Sequence, residues 1–86
     1  MKSFTLTVSS PDGNLFKGEV EFLSARGEEG DFAIMAGHVP FITSLVPCEM
    51  KIIVGEEEKL ATVDDGLLSV DENGATLLAG SFKWKE

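Results

Sequence analysis

An all-β fold is predicted, a β-sandwich or barrel forming a single domain over residues 1–86. Three observations predict it. The dominant hydrophobic period is two rather than 3.6. The apolar runs are short and are broken at close intervals by Gly, Pro, Asn and Asp. No segment carries an apolar stripe at helical spacing. Hydrophobic residues at 43% and charged residues at 26% give an ordinary globular composition, and the length is near the size at which one core just suffices.

Phe4, Leu6 and Val8 alternate with Ser3, Thr5, Thr7 and Ser9, a strand with one apolar and one polar face. Ser10-Pro11-Asp12-Gly13-Asn14 supplies turn chemistry. Leu15 to Gly18 is a short extended piece, and Glu19 to Arg26 reads as the next strand. Within it Val20 and Phe22 share one parity and Leu23 and Ala25 the other, which predicts either a β-bulge near Phe22 or burial of both faces. Gly27 to Asp31 is a tight acidic connection into a short strand, Phe32 to Met35. Ala36 to Pro40 is a loop, Phe41 to Val46 is extended, and Pro47 ends it.

Glu49 to Val54 and Lys59 to Val63 pair through a turn at Gly55 to Glu58. Asp64-Asp65-Gly66 turns again. Leu67 to Val70 and Ala75 to Ala79 form a hairpin through Asp71-Glu72-Asn73-Gly74, where the Asn-Gly pair is the strongest short-range signal. In Ser81 to Glu86, Phe82 and Trp84 alternate with Lys83 and Lys85, an edge strand whose lysines discourage further pairing.

The formal net charge is -8, from 15 acidic and 7 basic residues. The basic residues are scattered, which argues against a nucleic-acid face and against an acidic membrane surface, and favours a basic protein surface as partner. One cysteine, Cys48, excludes an intrachain disulfide. Neither a secretory signal nor a membrane-length apolar run is present, so a soluble protein of the cytoplasm is expected.

Chemistry is scarce. His38 is the single histidine and has no companion ligand for a metal. Cys48 sits between Pro47 and Glu49, where a neighbouring carboxylate disfavours the thiolate. Glu56 to Glu58 reads as a solvated charge run, and the Asp-rich turns lack the spaced ligand series of a calcium loop. No Walker-type phosphate cradle exists. No catalytic, metal or cofactor site is expected.

The segment Gly30-Asp31-Phe32-Ala33-Ile34-Met35-Ala36-Gly37-His38-Val39-Pro40, continuing through Thr43 and Leu45, resembles the signature of F-type ATP synthase epsilon subunits. The Phe16-x-Gly18-x-Val20 step, Gly66 before an apolar strand, and Leu77-Leu78-Ala79 extend the resemblance over nearly the whole chain. Ala36 stands where the family usually has proline, Ala33 where glycine is common, and Asp65-Gly66 where Gly-Gly is frequent.

The resemblance implies the family's N-terminal domain, a flattened two-sheet β-sandwich, and with it a non-catalytic rotor part of the central stalk that joins the gamma subunit to the c ring and couples ion translocation to ATP synthesis. It implies a peripheral place on the cytoplasmic face of the bacterial inner membrane, held there only through the complex. Longer members continue into a helical hairpin that can inhibit hydrolysis. This chain ends about where that hairpin would begin, so neither the hairpin nor inhibition by it is expected. Glu28, Glu29, Asp31 and His38 are the candidate c-ring contacts, because the ring's polar loops commonly carry a basic residue. Phe41, Ile42, Met50 and Leu68 are the candidate gamma-subunit contacts, each also readable as core.

A biotinyl or lipoyl carrier domain is the alternative. Glu49-Met50-Lys51-Ile52 resembles the Met-Lys-Met of biotin carriers, with Lys51 as the attachment site. Lys51 falls near the start of an apolar strand, however, rather than at a turn tip. A sandwich adhesion or ligand-binding module of another kind is the third reading.

Overall fold

Alternation of small β-branched or apolar residues with polar ones produces ten strands in the computed structural model, which describes residues 3–11, 13–37 and 40–85. In chain order they are β1 (Phe4–Ser10), β2 (Gly13–Val20), β3 (Phe22–Gly27), β4 (Gly30–Met35), β5 (Phe41–Leu45), β6 (Cys48–Val54), β7 (Glu57–Val63), β8 (Gly66–Asp71), β9 (Gly74–Ala79) and β10 (Phe82–Trp84). No helix occurs among the described residues.

One layer carries the strands in the order β2-β1-β9-β8-β5 and the other β4-β3-β6-β7-β10. They are continuous through β3, whose Gly27 pairs with Leu45 of β5. All the pairings are antiparallel except β1 with β9, where Thr5 to Ser9 run beside Gly74 to Leu78. The ladder curls back on itself, so the end strands β2 and β10 approach each other through the Phe16 and Trp84 rings, 5.5 Å apart and edge to face.

The inward parity of the strands supplies the core. Leu6, Val8, Val20, Leu23, Met50, Ile52, Ala61, Val63, Leu68 and Leu77 are fully enclosed. No polar or charged residue is buried among the described residues, so the core carries no desolvated polar group to compensate.

The single strand expected over Glu19 to Arg26 is two. Val20 ends β2, and Glu21 is the corner at which the chain leaves one layer for the other. Two hydrogen bonds hold that corner. Glu21 donates its backbone N–H to the Ile53 carbonyl at 2.8 Å, and its carboxylate accepts the Gly55 N–H at 2.7 Å. The change of parity between Val20 and Leu23 therefore marks a change of layer, not a bulge. The irregularity lies instead in the first hairpin, where the register slips between Val8 and Ser9. Asp64 and Asp65 likewise join layers: β7 pairs with β6 and β10, whereas β8 pairs with β5 and β9.

Candidate functional site

The β3–β4 hairpin places the acidic turn. Arg26 pairs with Asp31 and Gly27 with Gly30, leaving Glu28 and Glu29 at the tip. The Glu28 N–H donates to the Ser44 carbonyl at 3.0 Å, and Val46 N–H to the Arg26 carbonyl at 3.2 Å. These bonds fix the tip against β5. Glu28, Glu29, Asp31, Phe41 and Ile42 thereby border one groove of about 480 Å³. Phe32 and Phe41 also line it, their rings 5.8 Å apart and edge to face.

Charge is distributed unequally over that tip. The Arg26 guanidinium donates Nε–H to the Asp31 carboxylate at 2.8 Å. That bond, with the attraction of the charge, holds the Asp31 carboxyl below its ordinary value and raises Arg26. Glu28 and Glu29 make no ion pair among the described residues. The tip thus presents two uncompensated carboxylates and a third already shared with Arg26.

Beside the groove lies the outer face of the β5-β8-β9-β1 layer. Ile42 and Ser44 face outward from β5, Leu67 and Ser69 from β8, Thr76 and Leu78 from β9, and Thr5, Thr7 and Ser9 from β1. Apart from Asp71 at the far end of β8, no charged side chain lies on these four strands' outer face, although more than a quarter of the chain is charged. Leu67 and Leu78 are cross-strand partners, and Ile42 lies on the diagonal from Leu67. Their exposures of 41%, 54% and 68% make a contiguous apolar patch on a flat sheet. Charge resumes on β2, with Lys17 and Glu19 opposite Thr7 and Thr5. Ser3 and Thr5 both donate to the Glu19 carboxylate and hold its titration below the ordinary value, Thr5 contributing more.

Five of the eight expected contact residues are thus brought together: Glu28, Glu29 and Asp31 share the groove with Phe41 and Ile42. His38 lies outside the described residues. Met50 and Leu68 are each 0% exposed. Both point inward on central strands and are core, which corrects their assignment as gamma-subunit contacts. Leu67 and Leu78 went unassigned. Their signal was present in the doublets Leu67-Leu68 and Leu77-Leu78, since two adjacent leucines in a strand place one on each face. No cluster able to hold a metal occurs among the described residues. Lys51 lies within the β6–β7 ladder opposite Leu60, with Glu58 at 3.7 Å from its Nζ, and not at a turn where a carrier lysine would sit.

The profile of the family described as the ATP synthase delta/epsilon chain, β-sandwich domain, matches residues 3–85. The chain belongs to that family. It is 37% identical over 79 residues to the ATP synthase epsilon chain of Bradyrhizobium sp. (strain ORS 278), covering 92% of this chain and 58% of that one. It is 34% identical over 87 residues to the epsilon chain of Ruminococcus albus, covering all of this chain and 65% of the relative. The epsilon chain of Caulobacter vibrioides is 34% identical, with 92% of each chain covered. The chain therefore spans about three fifths of the length of the first two relatives.

Among solved structures, a chain of the Euglena gracilis mitochondrial ATP synthase matches with a TM-score of 0.87 at 19% identity, over 95% of this chain and 53% of that one. A chain of the Tetrahymena thermophila mitochondrial ATP synthase central stalk and c ring gives 0.79 at 15% identity, over 94% and 66%. These likenesses establish the fold. The family match leaves the carrier-domain reading without support.

Proposed function

We propose that this chain is a non-catalytic central-stalk subunit of an F-type ATP synthase, fastening the gamma subunit to the c ring so that ion translocation drives rotation and ATP synthesis. Membership of the family carries the reading, and one observation sharpens it: the acidic β3–β4 tip and the apolar patch of Ile42, Leu67 and Leu78 meet at the β5 groove, which Ile42 also lines. A clamp between two partners needs two adhesive surfaces of different chemistry on one stiff body. Glu28 and Glu29 offer charge to a basic loop of the c ring, where it favours register and encounter more than raw affinity. Ile42, Leu67 and Leu78 offer desolvation to the gamma subunit, with Phe41 lining the groove. Residence on the cytoplasmic face of the membrane follows from the ring and from nothing in this chain.

The test is charge reversal at the tip. E28K/E29K is expected to weaken assembly with a detergent-solubilised c ring about ten-fold, the loss equivalent to roughly 1.4 kcal/mol, while leaving gamma-subunit pull-down intact. Unchanged ring assembly with unchanged proton-driven ATP synthesis would overturn the assignment of the tip.

A further inference from the structure

The β8–β9 turn carries chemistry that rotor docking does not use. Asp71-Glu72-Asn73-Gly74 closes the hairpin with Asp71 paired to Gly74. Among the described residues only glycines have a positive φ, so Asn73 is not in the mirror-image turn that Asn-Gly commonly makes. The turn instead has Asp first and Gly fourth, the arrangement of a type I turn. The same Asp71 oxygen, Oδ1, accepts the Asn73 N–H at 2.8 Å and the Gly74 N–H at 3.1 Å. Gly74 also begins the parallel pairing with β1 opposite Thr5, and any side chain there would press into the Thr5 backbone oxygen. Asn73 itself is exposed.

We infer that Asn73 is a spontaneous deamidation site whose reaction the Asp71 carboxylate suppresses in the folded chain. The Gly74 backbone nitrogen loses its proton to hydroxide and attacks the Asn73 Cγ. A C–N bond forms, the bond from Cγ to the side-chain nitrogen breaks, and ammonia leaves after taking a proton from water. The product is a five-membered succinimide. Water then opens either of its two carbonyls, giving aspartate or isoaspartate, with no change of oxidation state. Glycine leaves the attacking nitrogen uncrowded, so the sequence alone makes the step fast in an open chain.

In the fold, the proton that must depart is the one donated to Asp71, and the amide anion would form against a carboxylate. The Gly74 backbone is also held in the parallel ladder with β1, opposite Thr5, which limits the movement the attack requires. Isoaspartate would lengthen the backbone at the residue joining Asp71 to Gly74, so the Thr5–Gly74 pairing would be lost. The turn shares a shallow cavity with Ala36 and Gly37, so the new charge would arise beside the Ala36–Gly37 loop.

The experiment incubates the full chain at mildly alkaline pH, folded and in urea, and quantifies Asn73 deamidation and isoaspartate by peptide mass spectrometry. The folded chain is expected to react at least about ten-fold more slowly than the unfolded one, the factor one carboxylate-bound N–H supplies. In Asp71→Asn, checked for folding by circular dichroism, the folded-to-unfolded ratio should rise about ten-fold. Using each variant's own unfolded rate removes the effect of the neighbouring residue on intrinsic reactivity. A folded wild-type chain reacting at the unfolded rate overturns the inference, as does a folded Asp71→Asn with an unchanged ratio. If Asp71→Asn does not fold, Gly74 amide hydrogen exchange in the wild type decides: slowing supports the inference, and exchange at the open-chain rate overturns it.

Discussion

Asp31 is bound within its own hairpin and is also a candidate for binding elsewhere. Its carboxylate accepts the Arg26 Nε–H at 2.8 Å, and that bond holds its titration below the ordinary range. A group whose folded pKa is depressed adds stability that is complete above its unfolded pKa and is lost as pH falls through the folded value. The contribution is therefore lost on acidification below the ordinary aspartate range, and it is small because both partners are exposed. In Arg26→Ala the Asp31 midpoint should return upward toward the ordinary value, as followed by carboxyl-carbon NMR, with little change in stability at neutral pH. An unmoved midpoint would show that Arg26 does not hold this carboxylate. The same comparison bears on docking. Freed from Arg26, Asp31 adds a third uncompensated charge to Glu28 and Glu29, so Arg26→Ala should strengthen, not weaken, attraction to a basic loop.

Strands make the distinction between core and surface that single residues did not. Leu68 on β8 and Ile42 on β5 are both apolar residues in β-sheet sequence, yet one is 0% and the other 68% exposed. Leu68→Ala should cost about 3 kcal/mol in urea unfolding, because it removes buried methylenes and leaves a cavity. Ile42→Ser should change stability by about 0.5 kcal/mol or less while weakening gamma-subunit binding. Similar stability losses in both would refute the division of the face. Strand existence was legible from alternation and turn residues alone, down to the short edge strand at Phe82, because local pattern and final structure agree there. Layer assignment was not. Glu19 to Arg26 looked like one irregular strand because a sandwich corner and a bulge both invert parity, and only the partners of Val20 and Leu23 separate the two. The acidic tip was legible as a charge run in a turn. The apolar face was not, since it is assembled from β5, β8 and β9, and their order in space is set by pairings remote in sequence.

At the scale of the whole molecule, backbone ladders run from β2 round to β10, crossing between the layers at the single pair Gly27–Leu45, and no ladder closes the seam between β2 and β10. There closure rests on side chains: Phe16 of β2 meets Trp84 of β10 at 5.5 Å, and within its own layer the Trp84 ring is braced by Phe82 at 5.0 Å and by the Lys59 ammonium, 5.5 Å from the ring centre. Edge-to-face pairs add about 0.5–1.5 kcal/mol beyond their buried area, much less than a continuous ladder resists. A body that transmits torque between two partners should open first at this seam, and opening there need not melt the core. Phe16→Ala removes the only aromatic that β2 contributes to the seam. It should lower global stability by roughly 2 kcal/mol, below the cost of a fully enclosed phenylalanine because Phe16 is half-buried. Trp84 is the chain's single tryptophan, so its emission reads the seam directly and should shift to the red. Amide exchange should accelerate in β10 while β6 and β8 remain protected. Uniform acceleration across all strands would mean that the seam opens only with the whole sandwich, and that the body is as stiff across its side-chain closure as along its ladders.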